Sequence, residues 1–196
     1  MKYRVISSGV ILSAVILVFS HCVQHSQGQN TNSEQQKYGG FQNQVQWGEH
    51  LVLITGCHDC HSPKVKGMTP DLGRALSGRP ATTQLPSETK TEVHASPDLT
   101  AWTGPWGYSI AANLTPDAAT GLGTRYTEAT FIATMRTGKK PNGTPVMPPM
   151  PSDVYQNMTD EDLKAIFAYL KTIKPIRNAV LAGLPLPKPA AEAPKK

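Results

Sequence analysis

Cys57, His58, Asp59, Cys60 and His61 stand in an unbroken run. Two thiols two residues apart, followed at once by an imidazole, form the pattern through which haem c is attached. The spacing has a chemical reason. Thioether bonds form at the two vinyl groups on one edge of the haem, so the thiols must lie about one helical turn apart. A histidine directly after the second thiol falls beneath the ring centre, where its imidazole reaches the iron. Zinc would want a second ligand pair, but the remaining cysteine, Cys22, lies in an apolar N-terminal segment. A thioredoxin-like pair would accompany a βαβ pattern, and none is seen.

An electron-transferring haem takes a second axial ligand from the protein, and methionine opposite histidine raises its potential. Met68 is close in sequence to the proximal side, Met135 reads as a helix-face core residue, and Met158 as a contact at the start of a helix. Met147 and Met150 fall in a stretch with five prolines, Pro141, Pro145, Pro148, Pro149 and Pro151. Such a stretch can be neither a regular helix nor a central strand, so it reads as a rigid loop presenting sulfur. If extended, it would hold the two methionines about 10 Å apart, leaving room for only one over the iron. Pro149 and Pro151 brace Met150 on both sides. His50 and His94 are the bis-histidine alternatives. On the proximal side, the Pro70 carbonyl is placed to accept the ligand imidazole's other N–H, with Leu72 packing on the porphyrin. Trp102, Trp106 and Tyr108 can each donate to a haem propionate, or serve as core aromatics.

The elements that must carry these residues are legible in part. Val45, Gly48, Leu51, Val52 and Ile54 form an apolar stripe at helical spacing, leading straight into Cys57. Gly48 would let another helix cross closely. From Ala81 to Arg125 there is little periodicity, and the segment reads as a long irregular wrap. Thr127 is a helix cap, followed by Phe131, Ile132 and Met135 on one face and a stop at Gly138. Thr159 caps the clearest helix. Its first turn is acidic, and Leu163, Ile166, Phe167, Leu170 and Ile173 form its buried stripe.

Residues 1–22 read as an export signal, with Lys2 and Arg4 ahead of an apolar core from Val10 to Phe19. Cys22 is a candidate lipid-anchor site, although His21 stands where a small residue usually precedes such a cysteine. Ordinary cleavage, leaving a soluble protein, is the alternative. Residues 23–44 read as a polar disordered tether, 45–178 as the haem domain and 179–196 as a Pro/Ala-rich tail. The formal charge is +5. Most of it lies in the leader and the tail, so it does not point to nucleic acid.

The chain resembles bacterial class I cytochromes c, and most of all the haem c domains of dehydrogenase cytochrome subunits. The resemblance rests on Ala112-Asn113-Leu114-Thr115-Pro116-Asp117, Thr120-Gly121-Leu122-Gly123, Phe131 to Gly138, Pro148-Pro149-Met150-Pro151 and Met158-Thr159-Asp160-Glu161-Asp162-Leu163. It implies an all-α fold wrapped around one covalent haem c, with long irregular loops. It also implies Met150 rather than Met147 as distal ligand. Ser152 departs from the pattern, since relatives often carry an aromatic there. Many relatives carry two or three haems, whereas a single C-x-x-C-H implies one. The expected function is one-electron transfer in the cell envelope or periplasm, with no enzymatic side chain. Partners would be a dehydrogenase, an oxidase or another cytochrome. The rivals are a haem module with an open iron position and an electron-transfer subunit of a larger dehydrogenase.

Overall fold

The computed structural model describes residues 37–181. The export signal, the Cys22 reading and most of the tether and tail fall outside these residues. Helix α1 spans Gln44–Ile54, and its cap is the Asn43 side chain, which accepts from the Gln46 N–H at 3.0 Å. Leu51 and Val52 are buried as the stripe predicts, but Ile54 is 61% exposed, because at about 100° per residue it falls outside the arc that Gly48, Leu51 and Val52 occupy. After the Thr55-Gly56 turn comes α2, Cys57–His61. Further on, α3 (Glu128–Thr137) begins in a reciprocal Thr127/Thr130 capping box and stops at Gly138, whose φ is 63°. The short α4 is Ser152–Tyr155. Helix α5, Asp160–Thr172, opens with a Thr159/Asp162 capping box and buries Leu163, Ala165, Ile166, Phe167 and Leu170.

Helices α1 and α5 cross at Gly48. A Cβ at that position would lie 1.9 Å from the Ala165 carbonyl oxygen and 2.9 Å from Tyr169 Cβ. Any side chain there would push the helices apart. The core gathers at this crossing from Leu51, Val52, Leu76, Leu122, Phe131, Ile166, Phe167 and Leu170. Phe131 and Phe167 meet as tilted rings with centroids 5.3 Å apart.

The all-α expectation needs a correction in the wrap. Three short strands, β1 (His94–Ala95), β2 (Ala101–Gly104) and β3 (Gly107–Ile110), form an antiparallel sheet in the order β1-β2-β3. All four residues of β2 are buried. Strands of two to four residues show too little alternation to be read from sequence. Asp98 pins the β1–β2 connection. Its carboxylate accepts from the hydroxyls of Thr83, Ser96 and Thr100, at 2.7 to 2.9 Å, and from the Thr100 N–H. Burial works to raise Asp98, but these donors outweigh it and hold the group below the usual carboxylate range.

The C-terminal strap after α5 is tied back by side-chain amides. Asn113 is fully buried and donates to the Ile176 carbonyl at 2.7 Å, while Asn178 donates to the carbonyls of Ser77 and Arg79. Among the described residues no helix is long and apolar enough to cross a membrane.

Candidate haem site

Three residues of the C-x-x-C-H run line a cavity of about 330 Å³. Cys57, Cys60 and His61 share its wall with Leu114, Leu122, Phe131, Ile166 and Leu170, and with Met147 and Met150. Gly56, at φ 72°, makes the turn that starts α2. The far end of α2 is capped by a residue that sequence reasoning missed. Lys64 Nζ donates to the carbonyls of His58, Asp59 and Ser62 at 3.3, 2.8 and 2.6 Å, placing a positive charge on the helix C-terminus. Ser62, fully buried, accepts the Leu76 N–H through its hydroxyl oxygen at 2.8 Å and pairs with His58 Nδ1 at 2.9 Å.

His61 Nδ1 lies 2.8 Å from the Ala112 carbonyl oxygen. A carbonyl only accepts, so Nδ1 carries the hydrogen and Nε2 keeps its lone pair. Nε2 has no hydrogen-bond partner among the described residues. Desolvation lowers His61 from its ordinary value, which keeps the imidazole neutral and able to ligate. The Ala112 carbonyl replaces the predicted Pro70 carbonyl. Pro70 instead bridges to Lys64 within its own turn. The close approach of the 111–112 backbone depends on Gly78, at φ 76°. A Cβ there would lie 2.6 Å from the Ala111 carbonyl oxygen.

Cys57 and Cys60 are not joined to each other. Burial pushes both thiols up, so neither has the lowered value of a redox-active or nucleophilic cysteine. No cluster of three or more His, Cys, Asp or Glu side chains fit to hold a bare metal ion occurs among the described residues. The donor set therefore fits a haem: two neutral thiols, one oriented neutral imidazole with a free nitrogen, an apolar cavity, and thioether sulfurs in its wall.

The remaining candidates divide. Trp102 is buried and lines the cavity, as does Tyr108, whose hydroxyl reaches the Pro86 carbonyl at 3.4 Å. Trp106 does not line it. Its ring folds over Gly104 and its indole N–H donates to Ser109 Oγ at 3.0 Å, so it is not free for a propionate. Leu72, expected on the porphyrin, is 77% exposed on a single 3-10 turn that faces away from the core. His94 pairs with Glu92 on the surface, and His50 stacks on Phe41; neither lines the cavity. Met68 is exposed, and Met135 and Met158 line the cavity beside the core. Met147 and Met150 are not held apart by an extended chain. The Met150 N–H donates to the Met147 carbonyl at 3.2 Å, so the segment turns and both residues reach the same cavity. Lys140, not singled out from sequence, is the one Lys, Arg, Asp or Glu in the cavity wall among the described residues.

Comparison with known proteins agrees with this chemistry. The family model described as cytochrome c matches residues 45–174. The chain is 38% identical over 130 residues to the fructose dehydrogenase cytochrome subunit of Gluconobacter japonicus, covering 66% of this chain and 21% of that protein. It is 32% identical over 136 residues to the gluconate 2-dehydrogenase cytochrome c subunit of Pantoea cypripedii, covering 69% and 24%. It is 38% identical over 73 residues to the alcohol dehydrogenase (quinone) cytochrome c subunit of Gluconacetobacter polyoxogenes, covering 37% and 15%. The aligned part of the chain spans less than a quarter of each of these relatives.

Proposed function

The chain belongs to the cytochrome c family, and from that membership we propose a one-electron carrier of the bacterial cell envelope that holds a single haem c. Cys57 and Cys60 provide the thioether links, and His61 and Met150 the two axial ligands. Bound haem c supplies the one-electron iron(III)/iron(II) couple. The rest falls to the chain's own residues. His61, oriented by the Ala112 carbonyl, presents Nε2 as proximal ligand. Leu114, Leu122, Phe131, Ile166 and Leu170 exclude water from the couple, and burial of this kind is one of the protein's means of setting the potential. No side chain is required to act as acid, base or nucleophile.

The observation that carries this reading is the His61 arrangement. An imidazole whose Nδ1–H is fixed by a carbonyl 51 residues away, with Nε2 left unpartnered in a cavity shared with both thiols, has one evident use. Met150 is preferred to Met147 because Pro149 and Pro151 brace it and because the family resemblance points to it. The test is the absorption spectrum of the purified protein. Oxidised protein is expected to show the near-infrared charge-transfer band of sulfur bound to iron(III), and reduced protein is expected not to bind carbon monoxide. A missing band together with carbon monoxide binding would make the open-iron module the better account.

The names of the relatives support a dehydrogenase as electron donor, with this chain serving either as a free shuttle or as one module of a larger assembly. An export signal in residues 1–22 suits a haem attached outside the cytoplasm. Cell fractionation of wild type and Cys22→Ser separates the two forms. Release of the variant from membranes means a lipid anchor, and identical soluble behaviour removes it.

A further inference from the structure

The loop that bears Met147 and Met150 is fastened at separate points. The Val146 N–H donates to the Gly138 carbonyl at 2.7 Å, closing its first half onto the end of α3. Arg136, also on α3, donates through Nη1 to the Gln156 carbonyl and through Nη2 to Asp160 Oδ1 at 2.7 Å, closing the base just past α4. Neither contact ties the loop to the thioether side of the cavity. Tyr155 does. Its hydroxyl donates to the Thr55 carbonyl at 2.7 Å, across 100 residues, two positions ahead of Cys57. Its ring is buried and lines the cavity.

We propose that Tyr155 is a positioning residue: its hydroxyl latches the methionine loop to the chain just ahead of the haem-attachment helix and sets how readily the distal side of the iron opens. This rests on Met150, or Met147, being the distal ligand. A thioether is a weak ligand, so its hold depends on how far the loop can swing. The latch lies five positions after Met150, and the Val146 tie holds the loop from the other side. Without the Tyr155 hydroxyl, the loop keeps its ties to α3 but loses its tie to the thioether side, and the Thr55 carbonyl loses the donor that faces it. The latch also persists across pH. The Tyr155 hydroxyl is pushed up to about 12, chiefly by burial, so it keeps its hydrogen through the neutral and mildly alkaline range.

The test is an imidazole titration of the oxidised, haem-loaded full chain, followed by loss of the sulfur–iron(III) band. Tyr155→Phe keeps the ring and removes the hydroxyl. It is expected to need about a tenth of the imidazole that wild type needs, equivalent to about 1.4 kcal/mol, the order expected when one buried hydrogen bond is lost. Thr127→Ala, which removes the α3 cap and lowers general stability without touching the loop's fastenings, is expected to titrate like wild type. If Tyr155→Phe titrates like wild type, or if Thr127→Ala shifts as much, the latch is wrong. Should Tyr155→Phe not accumulate with haem, Tyr155→Leu, which also lacks the hydroxyl, carries the test. A threefold or larger shift supports the latch and any smaller one overturns it. A wild-type protein with no sulfur–iron band removes the ligand and the latch together, whereas a normal band with unshifted variants removes the latch alone.

Discussion

A chain in which Cys57 and Cys60 are both replaced by alanine is expected to carry no haem after acid–acetone extraction, while wild type keeps it quantitatively. On the proposed reading the thiols are the covalent hold; Cys57 and Cys60 are the two cysteines of the described residues and both line the cavity. The consequence reaches beyond the cofactor. Leu114, Leu122, Phe131, Ile166 and Leu170 line the cavity proposed for the haem, so a haem-free chain would leave much of its apolar interior unpacked. Anything bound to the folded state alone stabilises it by mass action, and a covalent group does so without dissociating. The double variant is therefore expected to show a lower denaturation midpoint and a broadened transition. Each single variant keeps one thioether and should retain haem at reduced yield. Haem that washes out of the wild type would end the haem c reading.

Met150→Ala is expected to lose the sulfur–iron(III) band, to admit carbon monoxide when reduced and azide when oxidised, and to lower the potential. The drop should be on the order of 0.1 V, within the ~0.8 V over which axial ligation sets haem potentials. Met147→Ala is expected to keep all three properties. The comparison is sharper than the sequence suggested, because the chain turns between the two residues and brings both to the cavity. Distance no longer separates them. What does is the backbone, with Met150 held between Pro149 and Pro151 and its carbonyl accepting the Ser152 N–H at 2.9 Å. If Met147→Ala removes the band instead, the ligand moves by three residues and the electron-carrier function stands.

Much of this protein was legible in order along the chain, where the signals are local. The C-x-x-C-H run needs only the pitch of one helical turn. Thr127 and Thr159 betray themselves as caps because the groups they satisfy lie three residues on, at Thr130 and Asp162. Gly48 is visible as the small member of an apolar stripe, where another helix can cross closely, and the proline loop as a segment that can be neither helix nor central strand. The tertiary structure decided whatever depended on a partner far away in sequence. The acceptor for His61 is a backbone carbonyl, and Ala112 carries no side-chain mark of that role. Tyr155 reaches Thr55 in the same way, oxygen to backbone oxygen. Trp106 was indistinguishable from Trp102 until the β2–β3 turn gave one indole N–H to Ser109 and placed the other ring in the cavity wall. Leu72 read as a contact on the porphyrin, yet packing left it outside. A sequence fixes which groups a residue offers over one turn of chain. Which groups they meet depends on how the long wrap closes over the α1–α5 crossing and the cavity beside it, and that is a property of the whole tertiary structure.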